Sequence, residues 1–168
     1  IINEVGKVRQ DIHILVNDIL LHIKNFTPIF VPINKVGKNP REYLKYIDDL
    51  YASEKCIILF PAGMVSRRQE KKEISDLQWQ KSFITKAIKY KRNIVPVFIE
   101  GSNSKRFYNI AYWRKKLGLK ANIEMLFLAD EMFKQKGNTI IFKFGKVIPW
   151  ETFTDNFDKL TWAQKIKK

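Results

Sequence analysis

The sequence is poor in residues and segments that would cross-link a chain or anchor it in a membrane. Its 168 residues include one cysteine, Cys56, which excludes an internal disulfide and favours a reducing compartment. Cys56 begins an apolar segment, so we expect a buried thiol rather than a nucleophile. No apolar run approaches the roughly 20 residues that a membrane-spanning helix needs, and the first residues do not resemble a secretion signal. Any contact with a membrane is therefore expected at its surface.

Acidic residues and histidines are also scarce. The 17 Asp and Glu stand against 31 Lys and Arg, which gives a formal net charge of +14, and there are 2 histidines. Such an excess attracts polyanions, whether lipid headgroups, nucleic acid or an acidic carrier protein. The cations follow no zinc-finger or RNA-recognition spacing, which disfavours specific nucleic acid binding. We expect a cytoplasmic protein, peripheral on the anionic inner face of the membrane. The alternative is a solvated basic surface without a partner.

Apolar residues are plentiful. The chain is 45% hydrophobic and 13% aromatic, enough for the core of one domain over residues 1–168. Short apolar runs alternate with helical periodicity in two strand-helix-strand units, one with Pro40 opening its helix and one with Ser75 and Gln78 as a capping box. Right-handed crossovers then predict an α/β fold, a mostly parallel sheet with helices on both faces. The predicted strands are 12–16, 29–33, 56–60, 94–99 and 139–144.

A later segment, residues 107–113, is rich in aromatic side chains and is followed by Arg114, Lys115 and Lys116. An aromatic face with basic flanks is typical of a helix at a lipid interface. It is more often part of a core, and we favour core packing here.

The turn after the third predicted strand is the strongest local signal. The apolar segment 57–60 runs into a turn with Pro61 and Gly63, and Arg67 and Arg68 follow. Pro61 fixes its own φ, Gly63 allows conformations closed to other residues, and the backbone amides can then face an anion. Guanidinium groups bind phosphate or carboxylate through two parallel hydrogen bonds. The alternative is an ordinary surface turn, and in both cases we expect the Arg67 side chain to be exposed.

The same turn carries a family resemblance. Residues 60–67, Phe-Pro-Ala-Gly-Met-Val-Ser-Arg, resemble the Phe-Pro-Glu-Gly-Thr-Arg-Ser block of the glycerolphosphate and lysophosphatidate acyltransferase family. They are still more similar to the Phe-Pro-Ala-Gly-Glu-Val-Ser-Arg variant of bacterial hemolysin-like acyltransferases. Segments 15–20 and 28–35 upstream, and 94–99 and 101–108 downstream, resemble that subfamily in the same order.

Two departures from the family pattern stand out. The catalytic His-x4-Asp signature is absent; His13 and Asp18 have the right offset but the wrong surroundings, since His13 lies in the alternating pattern of a half-buried strand. The resemblance places the catalytic block just before Ile1, so we expect a piece of a longer protein, truncated at its N-terminus and without acyl transfer of its own. Met64 and Ala62 also leave the turn without the family's carboxylate.

The resemblance implies an acyltransferase active in membrane lipid synthesis. It would move a fatty acyl group from acyl carrier protein or coenzyme A to a lysophospholipid or amino-acid lysolipid, with no further cofactor and no metal. The implied substrate-binding residues are Lys35, Gly63, Ser66, Arg67 and Arg68. The implied pocket wall consists of Pro61, Met64, Val65 and Pro96.

Two other interpretations are compatible with the residues. One is a non-catalytic basic module that binds nucleic acid or acidic protein, which the net charge of +14 permits. The other is a catalytically dead acyltransferase relative, suggested by Met64.

Overall fold

A central strand with an alternating pattern organises the first part of the chain. The structure, a computed structural model, describes residues 1–16, 20, 24–26, 28–33, 40–69 and 73–168. The described strands are β1 (Ile12–Val16), β2 (Phe30–Pro32), β3 (Cys56–Ile58), β4 (Arg67–Arg68), β5 (Ile74–Ser75), β6 (Val97–Glu100) and β7 (Ile141–Phe144). The α-helices are α1 (Ile2–Gly6), α2 (Pro40–Ala52), α3 (Ser82–Lys89), α4 (Lys105–Lys116), α5 (Leu128–Lys134) and α6 (Lys159–Lys167). Short 3₁₀ helices span Lys24–Phe26, Ile123–Phe127 and Trp150–Thr152.

Strands β1, β2 and β3 form a parallel sheet with β1 in the middle. Ile14 pairs with Phe30 of β2, and Ile12 pairs with Cys56 of β3. Ile12, Ile14 and Val16 are buried while the residues between them are half-buried, as expected for a strand whose two faces have different surroundings. Helix α2 connects β2 to β3. The first strand-helix-strand unit and the parallel sheet of the prediction are thereby confirmed for three strands.

The described chain divides into two compact units. Unit 1 comprises residues Ile1–Gly63, Trp79–Ile94 and Val147–Lys168, and unit 2 comprises Met64–Gln78 and Val95–Lys146. Unit 1 holds the parallel sheet and a second cluster where helices α3 and α6 pack against each other. The buried members of that cluster are Phe83, Ile84, Ala87, Phe153 and Ala163.

Unit 2 contains two antiparallel strand pairs, β4 with β5 and β6 with β7, together with α4 and α5. Ser104 caps α4, since its hydroxyl accepts a hydrogen bond from the amide of Phe107. Phe107, Tyr108 and Ala111 form the buried face of this helix. The core of unit 2 thus lies along one side of α4.

The second predicted strand-helix-strand unit was wrong in two respects. Its last strand, predicted at 94–99, is β6 at Val97–Glu100, and it pairs antiparallel with β7 instead of joining the parallel sheet. The capping box was also misplaced, because Ser75 lies in β5 and helix α3 begins only at Ser82. Short apolar runs predict a strand but carry no information on its partner.

The apolar residues of two helices are only partly buried. In α2, Leu50 and Tyr51 are buried, but Leu44 is 64% exposed. In the aromatic segment of α4, Phe107 and Tyr108 are core residues, whereas Trp113 is 53% exposed. Core packing therefore accounts for half of that segment and leaves the other half without an explanation in the fold.

Among the described helices, none is long and apolar enough to cross a membrane.

Candidate anion-binding site

The turn of unit 1 has the conformation that its proline and glycine predict. The amide of Gly63 donates a hydrogen bond to the carbonyl of Phe60 at 2.9 Å, which closes a four-residue turn with Pro61 at its second position. Gly63 has φ +68°, a region where a side chain is strained. The Gly63 amide is thus engaged in closing the turn, and the role of Gly63 in anion binding stays a prediction.

Arg67, in strand β4 of unit 2, is buried, contrary to the expectation of an exposed turn arginine. The residue is 9% exposed. Its Nη1 donates to the carbonyls of Val65 at 3.0 Å and Ser66 at 3.3 Å, and its guanidinium lies over the Phe107 ring, 5.3 Å from the centroid. The planar group is therefore held in one orientation by backbone, ring and, as described next, a carboxylate.

The carboxylate belongs to Glu124, which is fully buried in the 3₁₀ helix Ile123–Phe127. Its Oε1 accepts a hydrogen bond from Arg67 Nη2 at 3.0 Å, and its Oε2 lies 2.8 Å from Arg114 Nε of helix α4. The second contact is an ion pair without hydrogen-bond geometry, because the N–H of Arg114 is not directed at the Glu124 oxygen. Two guanidinium groups thus share one carboxylate, and the cluster carries a net charge of +1.

Burial and charge act in opposite directions on Arg67. Removal from water lowers the pKa of its guanidinium below the usual value, while Glu124 raises it and Arg114 lowers it further. A guanidinium stays protonated in proteins even so. The cluster of Arg67, Glu124 and Arg114, called the arginine cluster below, therefore keeps its positive charge in a site largely screened from water.

The neighbours of Arg67 in the motif have distinct environments. The hydroxyl of Ser66 donates to Oδ1 of Asp76 at 2.5 Å, so its proton is already engaged. Arg68 is half-buried, and its Nε is buried without a hydrogen-bond partner among the residues that the structure describes. A buried donor without an acceptor costs about 1–3 kcal/mol, more if charged. Of the predicted residues that are described, Arg68 therefore has the donor most in need of an anion.

The residues of the predicted pocket wall are divided between the two units. Pro61 lies in the turn of unit 1, whereas Met64, Val65 and Pro96 belong to unit 2. Pro96 accepts a hydrogen bond from the amide of Gly145 at 2.8 Å, which makes it part of the entry to the β6–β7 pair. Lys35 lies outside the described residues.

His13, the one described histidine, has the environment expected of a strand residue. It is half-buried in β1, and its Nδ1 lies 3.2 Å from the backbone carbonyl of Asp11. Asp18 lies outside the described residues, as does His22. No group of three or more His, Cys, Asp or Glu side chains in the described part of the chain is placed to hold a metal ion.

Three residues of the site were not predicted: Glu124, Arg114 and Asp76. Glu124 had a detectable signal, because it is a lone acid within the apolar segment Ile-Glu-Met-Leu-Phe, where a buried carboxylate needs a cation. The turn lacks a carboxylate of its own, and Glu124 supplies one to Arg67 from 57 residues further along the chain.

Comparison with known proteins adds the relatives of this chain. The model of the acyltransferase family matches residues 1–155. The chain is 46% identical over 162 residues to a lyso-glycine lipid O-acyltransferase of Bacteroides thetaiotaomicron, an alignment that covers 96% of this chain and 58% of that protein. A protein of the same name from Phocaeicola vulgatus is also 46% identical, with 96% and 56% covered. The chain thus spans a little over half the length of the curated relatives it matches. No solved structure shows a significant match.

Proposed function

The chain belongs to the acyltransferase family, and on that premise we propose that the intact protein transfers a fatty acyl group to the hydroxyl of a lysolipid with an amino-acid headgroup. The observation that carries this proposal is the 46% identity, over 96% of the chain, to proteins named lyso-glycine lipid O-acyltransferase. The name of these relatives specifies the acceptor lipid, which membership of the acyltransferase family alone does not. Glycine is the headgroup that we propose for this protein as well.

The proposed reaction is an exchange of esters. The acceptor hydroxyl attacks the carbonyl of an acyl thioester on coenzyme A or acyl carrier protein, a C–O bond forms and the C–S bond breaks. The hydroxyl proton goes to a general base and then to the departing thiolate, so the products are an O-acylated lipid and a free thiol. We propose that this step belongs to membrane lipid synthesis and takes place at the cytoplasmic surface of the membrane.

The acceptor headgroup suggests a role for the cations of unit 2. A glycine joined to a lipid through its amino group keeps a free carboxylate, and a phosphate headgroup is likewise anionic. Arg68 has a buried Nε without a described partner, and a guanidinium offers the planar pair of donors that a carboxylate accepts. We propose that Arg68 binds the acceptor carboxylate directly.

Arg67 then has a different role from the one that its motif suggests. Its guanidinium already meets Glu124 and two backbone carbonyls, so we propose that it is a positioning residue. It fixes strand β4, and with it the adjacent Arg68, against helix α4. The net charge of +1 on the arginine cluster adds attraction for the same anion without a direct contact.

An acyl-transfer assay with the intact protein tests the proposed function. Purified protein is given palmitoyl coenzyme A or palmitoyl acyl carrier protein together with lyso-glycine lipid, and the products are identified by mass spectrometry. We expect O-acylated glycine lipid and one equivalent of free thiol with at least one of the two donors. Lysophosphatidate serves as the alternative anionic acceptor. Acylation of lysophosphatidate alone, or no transfer to either acceptor, would contradict the proposal.

A further inference from the structure

Unit 2 has an apolar groove that neither the core nor the proposed acceptor contacts use. Its cavity volume is about 560 Å³, within the range of ligand sites. The walls are mainly apolar, and the side chains that matter here are Ile110, Trp113, Leu117, Leu119 and Ile123, with Arg106 at one end.

The groove is built by one side of helix α4 and the chain that follows it. Arg106, Ile110, Trp113 and Leu117 recur at helical spacing, so they lie along one stripe. After the helix, Gly118 adopts φ +71°, and the chain turns so that Leu119 and Ile123 supply the second wall.

Arg114 holds the two walls together. Its Nη1 donates to the carbonyl of Leu119 at 2.7 Å, while its Nε lies 2.8 Å from the buried Glu124. The turn after α4 is therefore fixed by the same residue that belongs to the arginine cluster. A groove supported in this way is preformed.

The surface around the groove is apolar and cationic at the same time. Trp113 is 53% exposed, Leu117 71% and Leu119 50%. Residues 101–123 contain no Asp or Glu, and their cations are Lys105, Arg106, Arg114, Lys115, Lys116 and Lys120. All of these cations except Arg114 are exposed. Trp113, Leu117 and Leu119 line the same groove, and exposed apolar side chains that are grouped in this way, with cations around them, indicate an interaction site.

We propose that this surface, the α4 face, docks on the headgroup region of an anionic lipid bilayer. Trp113, Leu117 and Leu119 enter the boundary between headgroups and acyl chains, where tryptophan is favoured, and the flanking lysines meet lipid phosphates. The positive charge of the α4 face favours an anionic leaflet. An acidic protein could bind to the lysines alone, whereas the exposed tryptophan and leucines favour lipid. The inference rests on the proposed function only in that a lysolipid acceptor resides in a membrane.

Vesicle binding by the intact protein tests the electrostatic part. The vesicles contain phosphatidylcholine with about 30 mol% phosphatidylglycerol, and pure phosphatidylcholine is the neutral comparison. Removing two cations, in Lys115→Gln/Lys116→Gln, should weaken binding to anionic vesicles about 30-fold, since each nearby cation contributes about 1 kcal/mol. The matched pair Lys45→Gln/Lys55→Gln, two exposed lysines that are not part of the α4 face, removes the same charge and should change binding less than about threefold. Equal losses for both pairs would overturn the proposal, because net charge alone would then explain binding.

The apolar part has its own variants. Trp113→Ala/Leu117→Ala should weaken binding about tenfold, as expected for partial burial of two large side chains, whereas Leu44→Ala, a leucine 64% exposed in unit 1, should leave it unchanged. Trp113→Phe should bind nearly as well as the wild type but lose the blue shift of tryptophan emission on binding. All altered side chains are exposed, so melting curves should coincide. Binding to an acidic carrier protein with no binding to vesicles, or an undiminished blue shift in Trp113→Phe, would refute membrane docking.

These outcomes are separable from those of the acyl-transfer assay. Vesicle binding requires neither thioester nor acceptor hydroxyl. An intact protein that binds vesicles through the α4 face but transfers no acyl group would contradict the proposed function alone. Acyl transfer to a detergent-dispersed acceptor, with no vesicle binding, would contradict docking alone.

Discussion

The substitution Glu124→Gln tests the arginine cluster more directly than any change to its arginines. Glutamine keeps the shape of the side chain and removes its negative charge. Arg67 and Arg114, whose side chains are 11% and 14% exposed, would then face each other's positive charge without the carboxylate between them. The perturbation is therefore electrostatic, with little change in packing volume.

The expected loss of stability is about 3 kcal/mol. Breaking a buried ion pair by removing one partner costs about 3–5 kcal/mol, because the remaining charge is left uncompensated. We take the lower end because Arg67 keeps the carbonyls of Val65 and Ser66 and both guanidiniums keep slight access to water. In a chain of this length about 3 kcal/mol corresponds to a fall in melting temperature of roughly 6–12 °C.

Thermal unfolding followed by circular dichroism measures this loss, with Glu151→Gln as the matched control. Glu151 is an exposed glutamate of unit 1, and its replacement should cost less than about 0.5 kcal/mol. A cycle with Arg114→Gln adds a second criterion: with the carboxylate gone, removing one guanidinium should be much less costly than in the wild type, a coupling of at least about 1 kcal/mol. Additive effects of Glu124→Gln and Arg114→Gln would refute the buried cluster. So would a melting temperature of Glu124→Gln within about 2 °C of the wild type.

Three further predictions concern other parts of the chain. Desolvation would raise the pKa of Glu131, but hydrogen bonds from Lys134 and Ser104 outweigh it and lower the pKa from 4.5 to about 2. The contribution of Glu131 to stability is therefore full above pH 4.5 and is lost as the pH falls toward 2. In urea unfolding at several pH values, the free energy of unfolding should fall less steeply with acidification in Glu131→Gln than in the wild type. Gly63→Ala should lower the free energy of unfolding by about 1 kcal/mol in a thermal unfolding experiment, because φ is +68°. The space beside Gly63 is open, so the cost comes from the backbone, and an unchanged stability would argue against the turn. His13→Gln should leave kcat of the intact protein within about threefold of wild type, since His13 is a half-buried strand residue, and a loss of the size typical of a general base, about 10²–10⁴-fold, would identify it as that base.

Strands with strong alternation and helices with clear start signals were predictable from the sequence. Strand β1 has the predicted bounds of residues 12–16, and α2 begins at the predicted Pro40. The partner of β6 was not predictable, because β7 lies about 40 residues further along the chain and both segments are simply short and apolar. The two-residue period of the side chains shows which residues lie on each face of a strand, but it does not show with which other strand the strand pairs.

The same distinction between local and distant information applies to the site. Proline and glycine specified the turn at residues 60–63, since their conformational limits act within a few bonds. The burial of Arg67 depends on Glu124 and Phe107, which approach only when helix α4 and the 3₁₀ helix pack against strand β4. An arginine next to a turn is usually exposed, and it becomes buried only when residues distant in the sequence pack around it.

The central claim is that cationic side chains of unit 2 recognise the anionic headgroup of a lysolipid acceptor, and one pair of acceptors tests it. Lyso-glycine lipid and its methyl ester share the same hydroxyl and acyl chain and differ only in the charge of the headgroup. We predict that the intact protein acylates the free acid with a kcat/KM about 10- to 100-fold higher than the ester, the value of one charged hydrogen bond. In Arg68→Gln this preference should fall to about twofold or less. Equal kcat/KM for acid and ester in the wild-type protein would contradict the claim.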